Sequence, residues 1–170
     1  MANSNVINDE LPEQVPQALN NQYLTFIVHG KRYAISILEV KEIIEVSSMT
    51  RVPMAANAVR GVINLRGNVA PVIDLNQRLK NTPTMVGRRS VILVVEQYDQ
   101  QERELFGMLA DGVSEIVEIN DNEIQEAPDF GVGIRQEFIE RMARIGDDFI
   151  VLLSLGRLLD AEELAQREAS

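Results

Sequence analysis

The chain has 170 residues, 45% of them hydrophobic, and 16 basic against 26 acidic side chains give a formal net charge of −10. That length holds one ordinary domain or two small ones, and that charge repels phosphate backbones and anionic membrane surfaces; the nearest basic patch, Arg88-Arg89, has no aromatic neighbours for base stacking. Cysteine is absent, which removes disulfides, thiolate zinc sites and cysteine nucleophiles.

Residues 1–21 are rich in Asn, Gln, Glu and Pro and are expected to form a flexible tail, since they carry too little apolar surface to offset ordering. They have no basic stretch followed by an apolar one, unlike a signal peptide. No apolar run approaches the length of a membrane span, so a cytoplasmic protein is expected.

A β-branched and aromatic run over 23–28 stops at His29-Gly30-Lys31 and resumes at Arg32-Tyr33-Ala34-Ile35, which predicts a hairpin. Residues 38–44 fit either a helical turn or a strand. Residues 54–58, after Pro53, predict a loop or one helical turn. Two apolar runs around Arg66-Gly67-Asn68 predict a second hairpin, and Pro71 marks its return strand as an edge or a bulged strand, because proline donates no ladder hydrogen bond.

Residues 80–88 read as the boundary between halves. Beyond it, 90–96 and 105–110 pair across a polar turn at 97–104. A run over 138–145, a turn at Gly146-Asp147-Asp148 and a strand over 149–154 follow. Leu155, Leu158, Leu159 and Leu164 then recur at helical spacing over 155–167.

The halves resemble each other. AISILEVKEIIEV, from Ala34, aligns with GMLADGVSEIVEI, from Gly107, so that Val40 matches Val113, Glu42 Glu115, Ile43 Ile116 and Glu45 Glu118. Arg66-Gly67 with its following strand is echoed by Ile145-Gly146 with its own. One supersecondary unit used twice, with short strands at regular spacing, predicts two similar all-β subdomains, each a small barrel. The expected division is a tail at 1–21, a first subdomain at 22–82, a second at 88–155 and a C-terminal helix and tail at 156–170, with exchange of strands between the two left open.

No catalytic set assembles. His29, the only histidine, stands beside Gly30 in a turn, and no nucleophile-elbow motif exists to complete a triad. Glu39, Glu42 and Glu45 recur in a mixed surface pattern, and Gly131-Val132-Gly133 lacks the third glycine of a dinucleotide loop. Arg66 stands out as a guanidinium between apolar residues and a turn glycine in an acidic chain. It suits a directional contact with a partner carboxylate or carbonyl, or an internal salt bridge to Glu42 or Glu115; the residues alone leave both open.

Thr25-Phe26, Tyr33-Ala34-Ile35, Val40-Lys41-Glu42-Ile43-Ile44, Arg51-Val52-Pro53, Arg60-Gly61-Val62-Ile63-Asn64-Leu65-Arg66-Gly67 and Pro71-Val72-Ile73-Asp74-Leu75 closely resemble the CheW family. Asp111-Gly112-Val113-Ser114-Glu115-Ile116 and Leu152-Leu153-Ser154-Leu155 agree, so the resemblance runs from about Tyr23 to Leu159. It implies a mostly β fold of two SH3-like five-stranded β-barrels plus a C-terminal helix. It also implies a cofactor-free, non-catalytic adaptor at membrane-associated receptor arrays, joining chemoreceptor cytoplasmic tips to the regulatory domain of a CheA-type histidine kinase. In the family a receptor helix lies between the barrels; the matching positions are Leu24, Ile37, Val40, Glu42, Arg66 and Ile116, and such a trough combines apolar residues with a few orienting charges. The kinase-facing residues are not indicated. The sequence departs from the family at Asn57, where proline is common, at Ala70 and Ala110, smaller than the usual valines, and in a longer polar turn at 97–104. A paralogue serving pilus motility or another chemosensory array fits the same motifs, and the rival of a different class is a barrel that binds or hydrolyses a small ligand.

Overall fold

The computed structural model describes residues 20–126 and 133–165. The expected N-terminal tail lies outside them apart from Asn20 and Asn21, as do residues 166–170 and most of the Gly131-Val132-Gly133 run. The strands are β1 (Gln22–Val28), β2 (Lys31–Ser36), β3 (Val40–Glu45), β4 (Val59–Leu65), β5 (Asn68–Asp74), β6 (Val91–Asp99), β7 (Glu102–Ala110), β8 (Gly112–Glu118), β9 (Ile124–Gln125), β10 (Ile139–Ile145) and β11 (Asp148–Leu153). The helices are α1 (Leu75–Lys80), α2 (Leu155–Leu158) and α3 (Ala161–Ala165).

One sheet runs β8-β1-β2-β11-β10-β9 and the other β3-β6-β7-β5-β4. β8 and β9 lie at opposite edges of the first sheet although only residues 119–123 join them, so that sheet must curl until its edges approach. In the second, β3 and β4 are the two edges, and Thr50 in their connection pairs with Val62 of β4. The chain is therefore mostly β, in two small curled sheets with short C-terminal helices.

Sheet membership does not follow the chain halves 22–82 and 88–155. The β1–β2 hairpin belongs with β8–β11, and the β6–β7 hairpin with β3–β5. The exchange is reciprocal, and it preserves the internal repeat in register. β2 pairs parallel with β11 at Ala34↔Leu152, and β7 with β5 at Gly107↔Val72. Likewise Val113 and Ile116 of β8 face Phe26 and Leu24, as Val40 and Ile43 of β3 face Val95 and Leu93.

Exchange explains the continuous apolar runs. A half-exposed strand alternates apolar and polar residues, whereas one buried on both faces does not. In β6, Ile92 and Val94 fill the interior of the second sheet, while Leu93 and Val95 face the joint between the sheets. In β11, Ile150 and Leu152 fill the first sheet, while Val151 and Leu153 face the joint. Three cores result: one inside each sheet, and a larger one between them holding Phe26, Tyr33, Phe106 and Phe138. Full burial of side chains of this size stabilises by about 1.5–3 kcal/mol each.

Two local alternatives are resolved, and several other local expectations need correction. The ambiguous 38–44 stretch is both things in succession: a 3-10 turn at Ile37–Glu39, capped where Leu38 N–H donates to Ser36 Oγ, and then β3. Of the two alternatives for residues 54–58, the structure takes the loop, with no helical turn. Pro71 marks neither an edge nor a bulge in its own strand. β5 is internal, with Pro71 opposite Val62, and the ladder to β7 begins only at Val72; strand alternation aims the Pro71 nitrogen at β7, where it has no proton to donate. The polar turn at 97–104 is only Gln100-Gln101, both with positive φ, and the rest extends two nine-residue strands. Positive φ at both central residues is the hairpin geometry that matches strand twist, and Arg66-Gly67 adopts it too, at φ 51° and 91°. The helix expected over 155–167 breaks into α2 and α3, because Asp160 Oδ1 accepts from the N–H groups of Glu162 and Glu163 and starts the second. Helix α1 was not anticipated, although Asp74 at its N-cap and Asn81 in the left-handed C-cap are ordinary signals for one.

Candidate protein-interaction surface

β3 and β8 are equivalent edge strands, and each carries a bulge at the same point of the repeat, between Val40 and Glu42 and between Val113 and Ile116. A bulge ends regular pairing and re-aims side chains. In β3 it turns Glu42 toward the β4–β5 hairpin, where Arg66 Nη2 donates to Glu42 Oε2 at 3.1 Å. The Arg66 side chain is 82% exposed against 29% for Glu42. Of its five N–H donors, this is the one that meets a partner among the described residues.

In β8 the equivalent carboxylate, Glu115, meets a guanidinium from a different strand: Arg32 Nη2 donates to it at 3.1 Å. Buried Thr25 closes the opened ladder there, accepting from Glu115 N–H at 3.0 Å and donating to Glu115 C=O at 2.6 Å. Of the two internal partners the sequence left open for Arg66, the structure selects Glu42.

The six expected receptor-facing residues are not equivalent. Ile37 and Val40 are half-buried and pack against the joint core, so they stand at its margin. Glu42 and Arg66 are joined, and Ile116 is 55% exposed on the opposite edge strand. Leu24 is 2% exposed inside the joint core; it is the register partner of Ile116 and offers a partner no surface. Ile43 and Leu38 are exposed as well. Ile43 is the repeat equivalent of Ile116.

Glu39, beside this margin, has its carboxyl pushed up by burial and, second, by Glu140. The Tyr23 hydroxyl is raised by burial first and then by Glu140. At the far end, Glu163 accepts from both Arg78 and Arg135, whose guanidiniums cover the Phe138 ring. Its carboxyl is held below the ordinary glutamate range, chiefly by the Arg135 hydrogen bond.

Among the described residues no cluster of three or more His, Asp or Glu is placed to hold a metal ion. His29 contributes its backbone N–H to Asp111. Both sheet interiors are occupied by their own side chains, Ala70, Val72 and Ile92 in one and Ala34, Ala143 and Ile150 in the other, all fully buried. One surface cleft is lined by Leu38, Glu39, Lys41, Glu96, Gln97 and Tyr98. No described helix is long and apolar enough to cross a membrane.

Filled sheets with apolar residues and Arg–Glu pairs on bulged edges are the construction of a protein-interaction module. Comparison with known proteins defines it further: the CheW-like domain model matches residues 22–163, and the chain belongs to the CheW family. It is 28% identical over 149 residues to the chemotaxis protein CheW of Klebsiella aerogenes, covering 88% of this chain and 87% of that one. To the CheW of Rhizobium meliloti it is 32% identical over 149 residues, covering 88% and 92%. The crystal structure of the scaffolding protein TtCheW from Thermoanaerobacter tengcongensis superposes with a TM-score of 0.73 at 28% identity, covering 82% of this chain and 87% of that one. The two-subdomain SH3-like fold is shared.

Proposed function

We propose that this chain is a non-catalytic chemotaxis adaptor that couples the cytoplasmic tips of chemoreceptors to the regulatory domain of a CheA-type histidine kinase. Family membership over residues 22–163 supports the scaffolding role. The observation that carries receptor binding is the margin formed by Ile37, Val40, Glu42 and Arg66 beside the second sheet, with Ile116 on the first sheet. Apolar residues give an incoming helix something to bury against, and the Arg66 donors left over from Glu42 fix its orientation.

An adaptor needs no chemistry of its own. It holds two partners in one geometry, and the coupling free energy belongs to the assembly. Such a protein would be cytoplasmic and reach the membrane only through its receptors.

The test is calorimetric titration of the full chain against receptor cytoplasmic fragments and against CheA regulatory domains from the same genome. Micromolar or tighter binding to one of each class is expected. Binding to neither class would overturn the proposal. An Arg66→Glu chain that binds receptor fragments as well as the unaltered one would remove Arg66 from the contact.

A further inference from the structure

A chain of hydrogen bonds runs from the second sheet to the first through the segment that joins the chain halves. It begins on β4, where Arg60 Nη1 donates to Asp74 Oδ2 and to Thr84 C=O, both at 2.8 Å. Asp74 ends β5 and caps α1, accepting from Gln77 N–H. It also accepts from the Thr84 N–H at 2.8 Å and from the Thr84 hydroxyl. The same hydroxyl accepts from Asn76 Nδ2 at 2.8 Å, and that amide also donates to Asp111 Oδ1 at 3.0 Å. Asp111 stands between β7 of the second sheet and β8 of the first. Its other oxygen accepts from the His29 N–H at 2.9 Å in the β1–β2 turn, and its own N–H donates to Ile27 C=O.

Asp74, Asn76 and Thr84 are each less than 5% exposed. Apolar contacts alone resist sliding weakly, because they are non-directional. Buried hydrogen bonds are directional, and leaving one unmade costs the desolvation of its group. The joint core therefore holds the sheets together, and a directional relay crosses the same joint at one end.

We propose that this relay sets the angle between the two sheets, with Asn76 and Thr84 as positioning residues that keep the two docking faces of the adaptor in one relative geometry. Neither residue lies in the receptor-facing margin. Asn76 is the decisive link, since its one amide nitrogen ties α1, and through Thr84 the segment between the chain halves, to Asp111. The functional half of this inference rests on the adaptor reading; the geometric half does not.

The absence of cysteine makes the test clean. Val69→Cys on β5 and Phe149→Cys on β11, both exposed and on different sheets, take a pair of spin labels whose separation is read by double electron–electron resonance. The parent pair is expected to show one narrow distance distribution. Asn76→Leu and Thr84→Val should broaden or split it in protein that still melts cooperatively, and Thr84→Ser, which keeps the hydroxyl, should restore it. Unchanged distributions in both variants would overturn the proposal. Should Asn76→Leu fail to fold, Thr84→Val decides alone, since it keeps the shape and removes only the hydroxyl.

With receptor fragment and CheA regulatory domain as probes, each variant should bind either partner alone within about twofold of the parent, while simultaneous binding weakens by about tenfold. Equal weakening of single and joint binding would refute the positioning role. If the parent binds neither probe, the adaptor reading fails, and the spin-label distances still decide the geometry.

Discussion

Exchanging the charges of Arg66 and Glu42 separates a residue that touches the receptor from one that braces Glu42. The pair is 3.1 Å apart, with the arginine 82% exposed. At that distance in water the attraction is about 1 kcal/mol, and exposed pairs deliver roughly 0.2–1 kcal/mol after side-chain entropy and screening. Arg66→Glu alone puts two carboxylates together and should lower stability by about 1 kcal/mol at most, leaving the fold intact. The turn tolerates it, since Glu meets the φ of 51° no worse than Arg does. Adding Glu42→Arg restores an opposite pair and most of the stability. Binding responds differently if the free Arg66 donors meet a receptor carboxylate. Loss of such an interfacial pair costs roughly 2–5 kcal/mol, about 30-fold to several thousandfold in Kd, and the swapped pair does not recover it, because a glutamate then stands where the partner needs a cation. Thermal melts of the parent, both single variants and the double, beside titration with a receptor fragment, complete the cycle. Recovery of receptor affinity in the double variant would refute direct contact and make Arg66 a brace.

Ile116→Asp, at an exposed position, should change Tm little yet weaken receptor binding, measured by the same titration; undiminished affinity would exclude Ile116 from the surface. A Cβ on Gly107 would lie 2.7 Å from Ile92 Cγ2 and 3.3 Å from Val72 Cγ2, so Gly107→Ala should cost about 1–3 kcal/mol by overpacking, seen as a lower denaturant midpoint. Two carboxyls give opposite pH dependences. Glu163, held low by Arg135 and Arg78, adds stability that is present above the ordinary glutamate value and lost as pH falls through its lowered one, so Glu163→Gln should lower Tm at neutral pH and reduce the loss in acid. Glu39, raised by burial and Glu140, binds its proton more readily folded than unfolded, so stability falls as pH rises from the ordinary value through the raised one; Glu39→Gln should raise Tm at pH 7 and not below pH 4.

The repeat, the hairpins and the mostly β character were legible because their causes are local: strand-forming runs, turn residues and paired motifs at matching offsets. Sheet membership was not. Nothing in the composition of β1–β2 distinguishes pairing with β3–β5 from pairing with β8–β11, since both partners present similar Val- and Ile-rich strands. Pro71 was misjudged for a related reason. Its missing N–H was recognised, but a parallel neighbour that begins its ladder one residue later also accommodates it. At the candidate surface, the motif pointed to Arg66 and Glu42, which the structure pairs, and to Ile116, which is exposed, whereas Leu24, expected to face a partner, is buried on the joint side of its strand. Burial of that kind depends on what the exchanged hairpin packs against. Arg32–Glu115 escaped notice because its guanidinium comes from a different strand than in the first half.

Reciprocal exchange also bears on why two small sheets suit an adaptor. Each sheet takes a hairpin from one half of the chain and its remaining strands from the other. Neither half can complete a sheet alone, and unpaired strand edges are costly and prone to wrong pairing. The joint core draws on β1, β2 and β11 of one sheet and on β5, β6 and β7 of the other, so separating the sheets would expose Phe26, Tyr33, Leu93, Val95 and Phe106 together. Two subdomains joined by a linker would swing by default. Here the segment between halves is instead pinned through Thr84 to Asp74 and Asn76, and the hairpins on either side of it are locked into the opposite sheet. A receptor docked at one edge strand and a kinase domain docked elsewhere would then be held by a body that resists relative motion of its parts, as transmission of small displacements between partners requires.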